Sequence, residues 1–188
     1  MKVTIKTALL FAGAFILIKL LFMQLGLFST TITVPGSINN LFLLLSITIG
    51  LFLHKKKEGF HGSSALGDIK NGLTAALPYV MIVSMFLGLY YGKIDRSFLS
   101  SKMEERNEVA KKQLSDPIMF KRLLSEHPEW ESKTKEEILD DFSNSSNAAL
   151  SANSIMITSL LALTLLGAFY SIMITFIFRR VLVKGIRE

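Results

Sequence analysis

The stretch Ala8–Phe28, ALLFAGAFILIKLLFMQLGLF, decides the fold. Its 21 residues carry one charge, Lys19, and one amide, Gln24. A helix rises about 1.5 Å per residue, so about 20 apolar residues cross a hydrocarbon layer roughly 30 Å thick. A cleaved leader is the competing reading, because Lys2 and Lys6 precede the run as a charged n-region would. The run is longer than such leaders carry, and Gly26–Gly36 offers no small-x-small cleavage site. A retained transmembrane helix is expected.

Three further blocks of the same kind follow. The second is Ile38–Leu53, introduced by Pro35-Gly36 as a break and by Ser37 as an N-cap. It is short for a span. Asn39 and Asn40 are expected at the interface, and His54 with Lys55, Lys56 and Lys57 is expected to snorkel. The third is Ile69–Gly92, with Asp68, Lys70 and Asn71 at a wet entry and Pro78 inside. Membrane helices tolerate proline when neighbours satisfy the freed carbonyl. The segment before it, Gly59–Gly67, reads as a loop or a short interfacial helix. The fourth block is Ile155–Phe178, closed by Arg179 and Arg180.

Composition agrees. Half of the 188 residues are hydrophobic, 19% are charged and none is cysteine. Mean hydropathy is +0.43. Disulfide scaffolds and cysteine-ligated metal sites are excluded, and so is disorder over most of the chain. The net charge of +6 is not a nucleic-acid footprint, because it is divided by location. Residues 93–153 hold ten Lys/Arg and twelve Asp/Glu, a net −2, which leaves +8 for the rest. Basic residues bordering spans accumulate on the cytoplasmic side. With four spans, Lys2, Lys6, Lys55, Lys56, Lys57, Arg179 and Arg180 fall on one side, and the turn Ser29–Ser37 on the other carries no charge. Both termini are therefore expected in the cytoplasm.

The expected fold is all-α: a four-transmembrane-helix bundle with a helical extracytoplasmic insertion between spans three and four. Residues 1–92 hold three spans and a Lys-rich cytoplasmic loop. Residues 93–153 form the insertion, and residues 154–188 the last span and a basic tail. Within the insertion, a helix runs from Asp95 to about Leu114. Asp116-Pro117 opens another that ends near His127-Pro128. Thr134–Glu137 forms a capping box. Ser143–Ser154 is a linker or an extension of the last span. The insertion has too few apolar residues for its own core, so its helices are expected against the membrane face or the bundle ends. Trp130 is an interfacial anchor.

The residues with functional potential are few. Lys19 is an intramembrane charge and hence a candidate polar site. If the span starts near Val3, however, Lys19 approaches the outer surface and snorkels. Small residues line helix faces and let backbones approach: Ser46 and Gly50; Ser84, Gly88 and Gly92; Gly167 and Ser171. Whether they pack within the chain or against a second copy is open. His54, His61 and His127 make a poor metal site. The acids Glu129, Glu131, Glu136, Glu137, Asp140 and Asp141 lack calcium-loop spacing. The sequon Asn144-Ser145-Ser146 matters only in a eukaryotic secretory pathway. No nucleotide loop, zinc-protease motif or nucleophile elbow occurs. No cofactor or metal is expected, and the partners are membrane lipids and a second copy or another membrane protein, met through residues 93–153.

Three stretches resemble a known family. They are the charged turn leading to Gly59-Phe60, the entry SSALGDIKNGL from Ser63 to Leu73, and the exit Tyr90-Tyr91-Gly92-Lys93-Ile94-Asp95 followed by Phe98-Leu99. With the order of spans they resemble the domain of unknown function 4199 family, small bacterial four-span membrane proteins. The resemblance implies a bacterial cytoplasmic membrane and a periplasmic insertion, and it supplies no catalytic residue. The expected role is a non-enzymatic accessory or scaffold subunit of a membrane complex. The alternative is a small homo-oligomeric transporter or channel, lined by Lys19 and by Thr158, Thr164, Ser171 and Thr175. The lack of an acid inside any block weighs against that alternative.

Overall fold

A computed structural model of the chain describes residues 2–27, 31, 33–59 and 64–181. Among these there are seven α-helices and no strand. They are α1 (Val3–Gln24), α2 (Thr33–Glu58), α3 (Ala65–Leu89), α4 (Arg96–Ser115), α5 (Pro117–Glu126), α6 (Lys135–Ala149) and α7 (Ala152–Val181). A π-helical turn, Tyr90–Ile94, continues α3. Four helices are long and apolar enough to cross a membrane: α1, α2, α3 with its π turn, and α7.

The described residues form two compact units, one drawn from residues 1–87 and 156–188 and the other from 88–155. The first, here the spanning unit, packs Ala8, Ala12 and Phe15 of α1 with Leu43, Ile47 and Leu51 of α2. Tyr79, Val80 and Val83 of α3 and Leu163 and Ile174 of α7 join the same core. Large apolar side chains also face outward along α1 and α7, Leu10, Leu165 and Phe176 among them. Water would not tolerate such an area, whereas hydrocarbon does.

Two of these helices exceed their apolar blocks for identifiable reasons. α2 starts at Thr33 and has 26 residues, so Pro35-Gly36 lies in its first turn and does not break the chain. The first four N–H groups of a helix have no intrahelical partner, so proline forfeits nothing there. Asn39 is not left facing solvent. It is buried, and Tyr79 Oη donates to its Oδ1 at 2.6 Å and to its carbonyl at 3.1 Å. α3 starts at Ala65, four residues before the block, with Ser64 Oγ accepting from the Gly67 N–H at 3.1 Å. Most of the loop before it, 60–63 with His61, lies outside the described residues. At Pro78 the Thr74 carbonyl loses its donor. One residue on, the Ala75 carbonyl accepts Ser46 Oγ from α2 at 3.3 Å.

The second unit is built on caps. Asp95 caps α4 through the Phe98 N–H at 3.3 Å. Asp116 caps α5 through Ile118 and Met119, with Pro117 in the first turn. Thr134 and Glu137 form the capping box of α6. Most of Ser143–Ser154 belongs to α6 and the start of α7, which leaves Leu150–Ser151 as the connection. Contrary to expectation, the unit closes a small core of its own. Phe98, Ala110, Leu114 and Ile138 are buried, and the last three line a cavity of about 40 Å³ together with Gln113, Leu123, Trp130 and Phe142. Alanine and leucine at i, i+4 on α4 meet isoleucine and phenylalanine at i, i+4 on α6. Trp130 helps close this core and stacks on His127 with ring centroids 4.3 Å apart.

The Glu137 carboxyl is held below its usual range, first by the Thr134 backbone N–H and then by the Thr134 hydroxyl. A lowered acid stabilises the folded form above its unfolded value, and that contribution is lost as pH falls through the folded one. Thr134→Ala is expected to speed hydrogen exchange in the first turn of α6 about fivefold, matching the ~1 kcal/mol a lost cap costs. The difference from wild type should shrink in acid. Equal exchange at neutral pH would show the box to be idle.

Candidate functional site

Three helix ends of the spanning unit meet in a buried charge cluster. Lys55, in the last turn of α2, places Nζ 2.8 Å from Asp68 Oδ2 in the first turn of α3. Arg179, in the last turn of α7, brings Nη1 to 3.5 Å from the same oxygen. The Asp68 side chain is 0% exposed, Lys55 3% and Arg179 34%. Each charge has the sign its helix end favours, an acid at an N-terminus and cations at C-termini. Beside the cluster, His54 Nε2 lies 2.8 Å from Asn71 Nδ2 and 3.2 Å from Glu58 Oε2.

This placement departs from the sequence reading in two ways. Asp68 does not mark a wet entry. Because α3 begins one turn earlier than its apolar block, Asp68 falls inside the helix on a packed face. The three consecutive lysines also part company. Lys56 and Lys57 are exposed, while Lys55 turns inward and does not snorkel. Arg180 is exposed, and the tail 182–188 lies outside the described residues.

Taking two charges out of water costs several kcal/mol per ion, which their attraction repays only with good geometry. The cluster is therefore weak evidence for stability and better evidence for specificity. A Lys–Asp contact at 2.8 Å fits one register of α2 against α3, and Arg179 ties α7 to the same oxygen.

Several of the small residues meet partners inside the chain. Ser46 is fully buried on α3 through the Ala75 carbonyl. A Cβ at Gly50 would stand 3.0 Å from Ala75 Cβ and 3.6 Å from Thr4 Cα. One at Gly167 would stand 3.0 Å from Ala76 Cβ. Ser171 packs on Gly72, where an added Cβ would lie 2.9 Å from Ser171 Cβ. Ser84 and Gly88 are buried. Gly92, in the second unit, abuts Ala152 at 2.7 Å by the same measure. Gly72, Ala75 and Ala76 complete these contacts but do not stand out in the sequence, because Gly72 follows Lys70-Asn71 and alanine is common.

Lys19 lies 16 residues into α1, about 24 Å along its axis. The helix does start at Val3, yet the Lys19 side chain is tucked into the protein at 6% exposure. On α7, Ser171 and Thr175 are buried, Thr164 is partly buried and Thr158 is exposed, so the four do not share one environment. Among the described residues no three of His, Asp and Glu gather as a metal would require.

No protein-family model matches the chain, and neither the curated proteins nor the solved structures contain a match.

Proposed function

We propose that the chain is an integral protein of a bacterial cytoplasmic membrane and serves as a non-enzymatic accessory or scaffold subunit of a membrane complex. In this reading α1, α2, α3 and α7 form a four-helix bundle, residues 93–153 form an extracytoplasmic insertion, and both termini are cytoplasmic. Four apolar helices of spanning length support it, as do the basic residues at span borders. The resemblance to the domain of unknown function 4199 family points the same way.

The accessory role rests on one observation. In a hydrophilic unit that closes its own core, α5 buries no residue and leaves Ile118 83% and Met119 47% exposed at its start. Neighbouring exposed apolar residues on such a unit are where a partner protein gains contact area. The test is purification in mild detergent with mass determination. A second protein should co-purify in stoichiometric amount and be lost with Ile118→Lys/Met119→Lys. A lone monomer would sink the reading.

One observation favours the small homo-oligomeric transporter or channel as second reading. Asp68 is a fully buried acid within a spanning segment, paired with a buried lysine. Intramembrane ionisable pairs mark ion paths in many transporters. The same purification separates the readings. The chain has no cysteine, so a thiol placed at Lys19 reports solvent access without interference. A closed homo-oligomer with that thiol accessible would favour transport.

A further inference from the structure

Ser171, Thr175 and Arg179 follow one another at four-residue spacing on α7 and so share a face. Ser171 meets Gly72, and Arg179 reaches Asp68, one turn earlier on α3. Thr175 therefore looks onto α3 between these two contacts, at the turn that carries Asp68. It is 1% exposed, and among the described residues its Oγ1 has no hydrogen-bond partner.

That orphan is not the default for this helix. Thr164 and Ser171 donate to carbonyls four residues back, at 2.6 and 2.7 Å. Thr175 leaves the corresponding bond unmade. A buried unbonded hydroxyl is costly, because it has given up water without a replacement. Thr4 Oγ1 on α1 and Ser84 Oγ on α3 are also buried without a hydrogen-bond partner among the described residues, but neither shares the face that carries Arg179. An unmade hydroxyl bond on the face of α7 that meets the turn holding a buried carboxylate calls for a small ligand with both donor and acceptor capacity.

We propose that this end of the spanning unit is a water-binding site, in which a bound water bridges Thr175 Oγ1 and the Asp68 carboxylate. The charges select that ligand. A metal cation is opposed by Lys55 and Arg179, which already hold Asp68 Oδ2. An anion would meet the carboxylate. Water donates to the acid and completes the hydroxyl, and buried waters typically have 2–4 such partners. The ion pair is thus hydrated, with an exchangeable proton beside Asp68.

The sign of one substitution tests this. Thr175→Val keeps the shape and removes the hydroxyl. If the hydroxyl holds a water, the full chain in detergent should melt about 2–4 °C lower, the shift expected for ~1 kcal/mol at this size. Thr175→Ser should restore the wild-type midpoint. In a Lys55→Met/Asp68→Leu background the loss should vanish. An unchanged or raised midpoint for Thr175→Val overturns the proposal, because deleting a true orphan is neutral or stabilising. Water-edited solid-state NMR of the chain in lipid gives an independent readout. Magnetisation should pass from water to the Thr175 side chain, and no transfer there would also overturn it.

Discussion

Asp68→Asn should lower the stability of the spanning unit by about 3–5 kcal/mol, the usual cost of stranding one member of a buried ion pair. The reason is what stays behind. Lys55 would remain 3% exposed with a neutral amide facing its ammonium. It must then bear most of its desolvation cost, or swing out and open the packing of α2 on α3. Replacing both partners by apolar residues of similar size, Lys55→Met with Asp68→Leu, should recover most of the loss, because such pairs often cost as much to desolvate as they return. Unfolding of the purified chain in mixed micelles, followed by tryptophan-independent far-ultraviolet dichroism, measures both variants. If Asp68→Asn were as stable as wild type, the pair would be solvated and the burial argument would fail. If the double variant fared worse than the single one, the cluster would contribute net energy as well as register.

Gly72 should be the least replaceable glycine of the spanning unit. An added Cβ would lie 2.9 Å from Ser171 Cβ, 3.0 Å from its Oγ and 3.3 Å from its Cα. The last is backbone and cannot rotate away, so α3 and α7 must separate. Gly72→Ala should cost about 1–3 kcal/mol, as overpacking does, and Gly72→Leu more. The exchanged pair Gly72→Ala/Ser171→Gly should be markedly better than Gly72→Ala alone, since it moves the side-chain volume from one helix to the other. Gly13, with nothing among the described residues within 4 Å of an added Cβ, is the control and should accept alanine freely. Equal midpoints for Gly72→Ala and Gly13→Ala would disprove the contact.

The contrast between these residues explains what the sequence could convey. The spans were legible because crossing hydrocarbon is a length requirement that a run such as Ala8–Phe28 meets openly. Asp116-Pro117 and Thr134–Glu137 were legible because caps are local, with both partners within three residues. Asp68 and Lys55 were not. Hydropathy weighs a residue by its own polarity, and only the fold reveals that an acid 13 positions from a lysine neutralises it. The burial of Asn39 was hidden for the same reason, its partner Tyr79 lying 40 residues away. The core of the second unit escaped notice because Leu114, Leu123, Trp130, Ile138 and Phe142 are scattered over several elements, none of which is apolar by itself.

The meeting of three helix ends also governs how this protein responds to its ionic surroundings. Helix ends carry roughly half a unit of charge, positive at the start of α3 and negative at the ends of α2 and α7. Set against Asp68, Lys55 and Arg179, these partial charges leave the cluster closer to neutral than its side chains alone suggest. A near-neutral group has a weak field at a distance, and a buried one is little screened by mobile ions. Added salt, which weakens surface pairs such as Arg122–Glu126, should leave the grip between α2, α3 and α7 almost untouched.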